Sequence, residues 1–262
     1  MTVRPLTSRR CRLWLKAMLI CGCLGQPSPI LAADGLTVAL DASDPPFMYA
    51  GGGDSAQGLY PELIRQICDR AAIPLTVQAM SWRRALHEID NSSSAVGGLY
   101  KTAEREKRYD FSLPLFTERI VVVYLRRRPL DFRSLADLDH KRIGVMAGWS
   151  YGDDFDHARA ARRFTAYDGD SDQQNLQRLE RGYLDAVLGI QEAMETLPAK
   201  RRAGLAIAAT ALAAKPTFIA VNKQSGQQAL LQRFNQALEK MRQDGSYQQL
   251  VRKFFASRRS GN

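Results

Sequence analysis

Short apolar runs alternate with helix-period segments from residue 36 onward, and this alternation constrains the fold more than any other feature of the chain. Residues 36–40 (LTVAL) read as a strand, 59–72 as a helix, 75–78 (LTVQ) as a strand and 82–89 as a helix. A second unit opens at residues 141–146 (KRIGVM). A glycine turn at 147–150 and the acidic helix start Asp153-Asp154 follow, then a helix over 173–181 closed by Gly182 and a short buried strand at 186–189. Strands alternating with helices favour parallel sheets with right-handed crossovers, and ligands then sit beyond the carboxyl ends of the strands. That rule puts Asp41 and Asp44, just after the first strand, at the edge of a site. The chain ends in helical spacing: Leu230, Leu231, Phe234, Leu238 and Met241 share one face. Tyr247, Leu250, Val251, Phe254 and Phe255 share another beyond Gly245.

Residues 1–33 carry Arg4, Arg9, Arg10, Arg12 and Lys16 with no acid, then the apolar run 17–24, then Leu31-Ala32-Ala33. This is the pattern of a secretory signal peptide, and the run is far shorter than the roughly 20 residues that span a bilayer. Periplasmic export is the expectation. Without those five basic residues the chain keeps 32 Lys and Arg against 27 Asp and Glu, so much of the formal +10 belongs to the leader and a nucleic-acid partner is not expected. Three of the four cysteines, Cys11, Cys21 and Cys23, lie in the leader too. The rest of the chain keeps Cys68, in an amphipathic pattern where a small buried thiol fits. Residues 20–23 weakly resemble a lipoprotein processing site with Cys23 as the lipidated residue. His87, His140 and His157 are scattered without ligand spacing, so neither a metal nor a cofactor is expected.

Residues 100–105 (YKTAER), followed by 111–116 (FSLPLF), place one arginine where a carboxylate can be clamped. A guanidinium is planar, permanently charged and matched to a carboxylate in two parallel hydrogen bonds. The plain alternative for Arg105 is a surface partner among Glu104, Glu106, Lys107 and Arg108. The Thr-x-x-Arg then Phe-Ser-x-Pro run resembles the family 3 extracellular solute-binding proteins, the amino-acid-binding type of bacterial transport receptor. Residues 44–47 (DPPF), 58–63 (GLYPEL), 137–148, 182–189 (GYLDAVLG) and 245–247 (GSY) extend the likeness over nearly all of the chain after the leader.

The resemblance implies an α/β fold of the type II periplasmic-binding kind: two lobes, each a mainly parallel sheet flanked by helices, joined by a two-strand hinge. It divides the chain into the leader (1–33), the first part of lobe 1 (34–118), lobe 2 (119–220) and the return to lobe 1 (221–262). It implies a non-catalytic monomer that closes over a small carboxylate-bearing ligand, an amino acid or related polar acid, and hands it to an inner-membrane ABC permease or to a sensor protein. Arg105 matches the family's carboxylate-binding arginine and Ser150 its facing hydroxyl. Thr102 and Tyr151 flank these two. Trp82 and the nearby Phe47 are each an aromatic wall of the pocket or lobe core. Three departures mark the pocket. Ile190 stands where an aspartate commonly holds the ammonium, with Glu192 as a substitute. Tyr100 replaces a small hydroxyl residue, and Asp44 an aromatic ring. A dehydratase-like enzyme is the less favoured alternative, for which Asp41, Asp44 or Glu192 are the nominees for general acid.

Overall fold

The run at 36–40 becomes β1 (Leu36–Asp41), buried at every position but Thr37. A strand with a parallel neighbour on each side and helices over its faces needs this near-continuous apolar character. The computed structural model describes residues 35–52 and 55–259, so the predicted leader and Cys23 lie outside the described residues. After β1 the chain folds into a small antiparallel sheet of β2 (Ser43–Asp44), β3 (Met48–Ala50) and β4 (Ala56–Gln57). Gly58 then turns the chain at φ 120°, a conformation that an L side chain rarely adopts, and a Cβ there would press on the Phe47 carbonyl. α1 (Leu59–Ala71) buries Leu59, Tyr60, Leu63, Ile64, Ile67 and Cys68, the face predicted by its period.

β5 (Leu75–Met80), α2 (Trp82–Asn91), β6 (Ala95–Tyr100), the short α3 (Ala103–Arg108) and β7 (Tyr109–Phe111) follow in order. β1 pairs in parallel with both β5 and β6. The chain then runs out along β8 (Phe116–Leu125), and a single 3-10 turn at Leu135–Leu138 leads into β9 (Arg142–Met146). α4 (Asp153–Ala160), β10 (Thr165–Gly169), α5 (Asp172–Glu180) and β11 (Ala186–Ile190) complete a second parallel group, with β9 between β10 and β11. α6 (Gln191–Glu195), α7 (Ala199–Arg202) and β12 (Leu205–Ile207) lead to β13 (Ala213–Asn222), which carries the chain back.

β8 and β13 are ten residues each, and they join the two groups. They pair antiparallel with one another between Phe116–Ile120 and Ala213–Thr217. Beyond that stretch β8 pairs with β11 and β13 with β6 and β7. The sheet is therefore hydrogen-bonded throughout, in the order β10-β9-β11-β8-β13-β6-β1-β5, with β12 on β8 and β7 on β13. The return strand starts five residues earlier than the apolar run at 218–222 suggests. Residues 213–217 include Lys215 and Pro216 and carry no strand signal of their own. α8 (Gln228–Gln243) packs on α1, and α9 (Ser246–Arg259) packs on both.

Candidate functional site

The carboxyl ends of β1, β5, β9 and β10 converge, as the parallel-sheet rule requires. Between them lies a cavity of about 400 Å³ lined by Asp41, Trp82, Met146 and Gly148, among others. Joined to its lining through Asp41 is a residue that sequence reasoning passed over. Trp149, in the glycine turn after β9, projects from the second parallel group into side chains of the first. Its ring lies 6.2 Å from Trp82, 6.2 Å from Tyr100 in an edge-to-face arrangement and 6.3 Å from Tyr151. Its indole N–H donates to Asp41 Oδ2 at 3.3 Å, and the Trp82 indole donates to the Gly148 carbonyl at 3.3 Å. Each group of strands thus reaches a polar atom of the other through an indole.

Asp41 is buried, and this burial raises its carboxyl above the ordinary range against the hydrogen bonds that Ser43 and Trp149 give it. Arg105 lies in the first turn of α3. Its own N–H is capped by Thr102 Oγ1 at 3.2 Å, and its guanidinium donates to the Tyr100 carbonyl at 2.9 Å. Burial lowers its pKa, and the charge of Asp156, on α4 of the opposite group, is the largest influence acting against that. Among the described residues it forms no ion pair, whereas its neighbours Glu104 and Lys107 pair with each other and Arg108 pairs with Asp90. The surface-pair alternative therefore belongs to those neighbours.

Ser150 does not cap α4, whose N-cap position is Gly152. Its hydroxyl donates to Asp156 and accepts the Gly152 N–H at 3.2 Å. Tyr151 is buried, and its hydroxyl accepts the Met146 N–H at 2.9 Å, which pins the turn. Under Tyr100 lies a second polar cluster. Glu118, on β8 and 1 % exposed, accepts hydrogen bonds from the hydroxyls of both Tyr60 and Tyr100, and Thr217 Oγ1 donates to the Tyr60 oxygen at 3.1 Å. Burial pushes the Glu118 carboxyl up to about 8. Asp44 is also buried, and its Oδ2 meets no donor.

The structure thus sets Trp82, Tyr100, Tyr151 and Asp41 around Trp149, while Arg105, capped by Thr102, reaches this cluster through the Tyr100 carbonyl, Ser150 holds Asp156, and the charge of Glu118 acts on Asp44. Phe47 is the correction. It is fully buried against the rings of Tyr60, Phe116 and Phe255, at 5.5, 5.7 and 6.1 Å, so it packs the core and offers no face to a ligand. Ile190 is buried at the end of β11, opposite Ile120. Glu192 leaves Oε2 buried without a donor, and its charge acts on Glu118. Glu118, Asp156 and Asp172 were missed. The one available signal was Glu118 itself, a charge at the head of the apolar run 120–123, which reads from sequence as a strand end. Among the described residues no group of His, Cys, Asp and Glu is arranged to hold a metal.

The sequence profile of the bacterial extracellular solute-binding proteins, family 3, matches residues 36–257. The chain belongs to this family. It is 26% identical over 224 residues to the L-cystine-binding protein TcyJ of Escherichia coli K12, covering 85% of this chain and 83% of the relative. It is 24% identical over 234 residues to ABC transporter arginine-binding protein 1 of the same organism, covering 86% and 92%. Among solved structures, an ancestral arginine-binding protein bound to arginine superposes with a TM-score of 0.72 at 26% identity, over 84% of this chain and 98% of that one. The fold of this family 3 protein is the type II periplasmic-binding fold, mixed α/β with helices flanking a curled sheet. The protein is a solute-binding protein.

Proposed function

We propose that this protein is exported to the periplasm and captures a small polar ligand bearing a carboxylate, an amino acid or related acid, for delivery to an ABC permease. Arg105 is the carboxylate clamp, with Ser150 facing it from the other lobe. Lobe 1 (34–118 and 221–262) and lobe 2 (119–220) close on each other by flexing of β8 and β13, and the ligand favours the shut form because it contacts both. The observation that carries this reading is the state of Arg105. It is partly buried, which lowers its pKa, yet among the described residues its guanidinium makes one hydrogen bond to a carbonyl and no ion pair. A partly buried guanidinium with unused N–H groups is well suited to donate paired hydrogen bonds to a planar anion. The basic, acid-free leader supports export, and the similarity to the cystine- and arginine-binding relatives supports an amino-acid-like ligand.

The test is a thermal-shift screen of the mature protein against amino acids, polyamines and small organic acids, followed by calorimetry on the best ligand. A ligand that binds only the folded chain raises its melting temperature with occupancy. Arg105→Ala is expected to weaken binding by roughly 3 to 5 kcal/mol, the cost of leaving a buried charge unpaired. Unchanged affinity would remove Arg105 from the site.

A further inference from the structure

Parallel pairing gives the second group of strands two unlike ends. The carboxyl ends of β9 and β10 face the cleft. At the opposite end β8 finishes while β9, β10, β11 and β12 begin, because β8 runs antiparallel to β11 and β12. The segments flanking that end are 126–128, 139–142, 161–164, 180–185 and 198–204. Hydrogen bonds join them into one surface. The Arg126 N–H donates to the Gly204 carbonyl at 3.1 Å and the His140 N–H to the Arg163 carbonyl at 2.7 Å. The Arg127 guanidinium donates to the Glu180 carbonyl at 3.0 Å and that of Arg142 to the Gly182 carbonyl at 3.1 Å.

These segments hold 11 Lys and Arg against 3 Asp and Glu. The rest of the chain after the leader holds 21 against 24, so the positive surplus of that chain sits entirely at this end. Each of the three acids is already taken by one arginine: Asp139 by Arg163, Glu180 by Arg201 and Asp185 by Arg142. The other eight basic residues form no ion pair among the described residues, and all of them but Lys141 are exposed. Like charges crowded on one face repel, and the fold supplies these eight with no counter-charge of its own. An external anion has to supply it.

The layout of the face says which anion fits. A specific protein interface has an apolar centre inside a polar rim. Here basic residues run across every segment, and the single exposed large apolar side chain among the described residues of these segments is Tyr183, 62 % exposed. A phospholipid surface needs no apolar centre: guanidinium groups pair with its phosphates through two hydrogen bonds each, and a tyrosine ring sits at the level of its headgroups. For a member of an extracellular family, the extended anionic surface at hand is a membrane rather than a nucleic acid. We propose that this end of the second strand group is a contact surface for an anionic phospholipid bilayer, with the turn Arg126–Arg128 supplying its densest charge. The surface lies at the other strand ends from the cleft, so the assignment does not depend on what the cleft binds.

The described residues form one compact unit, so the test uses the mature chain without the leader. Co-sedimentation is measured with vesicles of phosphatidylcholine, with or without about 30% phosphatidylglycerol, at about 50 mM and about 500 mM NaCl. At the lower salt, wild type is expected to bind the anionic vesicles at least about tenfold more tightly than the neutral ones, and to release them at the higher salt. One basic residue near an anionic bilayer is worth about fivefold in partition. The triple variant Arg126→Gln, Arg127→Gln, Arg128→Gln is therefore expected to bind at least about tenfold more weakly. The control Lys240→Gln, Arg252→Gln, Lys253→Gln removes the same charge from exposed positions on α8 and α9 and is expected to change binding by less than about threefold. No binding of wild type to the anionic vesicles, binding that persists at the higher salt, or equal losses in the two triple variants overturns the proposal. Binding to polyglutamate without binding to vesicles assigns the face to an acidic protein and overturns it too. Circular dichroism and melting curves check that the variants fold, and should the 126–128 variant not fold, Arg181→Gln with Arg202→Gln carries the same comparison.

Discussion

Replacing Glu118 by glutamine tests the electrostatics of the cleft without a ligand. Burial holds the Glu118 carboxyl at about 8 against an ordinary 4.5, even though the hydroxyls of Tyr60 and Tyr100 act to lower it. A carboxyl whose pKa is higher in the folded chain than in the unfolded one binds its proton more tightly when folded. Its contribution to stability is therefore intact below about 4.5 and is lost as the pH climbs through about 8. At about 1.4 kcal/mol for each pKa unit, the interval sets a ceiling near 5 kcal/mol. Charges on Asp44, Asp172 and Glu192 couple to Glu118, so the slope is shared among them.

Glutamine keeps the hydrogen bonds, since its amide oxygen accepts from one phenol and its NH2 donates to the other, and it has no charge to bury. Urea unfolding of the ligand-free protein between pH 5 and 8.5 should show wild type losing about 2 to 4 kcal/mol. Glu118→Gln should lose distinctly less and be the more stable of the two at pH 8.5. The residual slope belongs to groups such as Asp172, which burial holds at about 7. Parallel profiles for the two proteins, or a wild type that gains stability over this window, would refute the reasoning.

Trp149→Phe keeps an aromatic ring against Trp82 and Tyr100 but removes the N–H that reaches Asp41; it should lower unfolding free energy at pH 7 by about 1 kcal/mol. No change would mean that the indole is not held by Asp41 in solution. Burial pushes the Cys68 thiol up to about 12, so native protein should not react with a disulfide reagent until urea exposes the thiol, and prompt native labelling would contradict its place on the buried face of α1. Gly58→Ala should cost about 1 to 3 kcal/mol by forcing a side chain into positive φ against the Phe47 carbonyl, read as a lower urea midpoint; an unmoved midpoint would show that the turn relaxes freely.

Much of the fold was legible because its signals are local. The period of 59–72 and the apolar run of 36–40 each report the burial of their own side chains, so α1 and β1 were readable, as were the second group's strand, glycine turn and helix. The length of β13 was not, because Ala213–Thr217 is strand only through its pairing with β8. In the site, Arg105 was nominated on chemistry and motif, yet the sequence left its surface alternative open. Only the fold showed that Glu104, Lys107 and Arg108 find other partners. Phe47 failed as a ligand contact because an aromatic beside a loop looks the same in sequence whether it faces a cleft or the core.

Sequence alone determined the alternation of the main strands and helices, the family, and the presence of one arginine suited to a carboxylate, since each is carried by short patterns along the chain. Tertiary structure decided the rest. Asp41, Asp44, Glu118, Asp172 and Glu192 are spread over some 150 residues, and their collective charge exists only where the strand ends and helix starts converge. Trp149 likewise gains its role from a partner, Asp41, that lies 108 residues away. Burial and long-range electrostatics are properties of the assembled chain, and no local pattern encodes them.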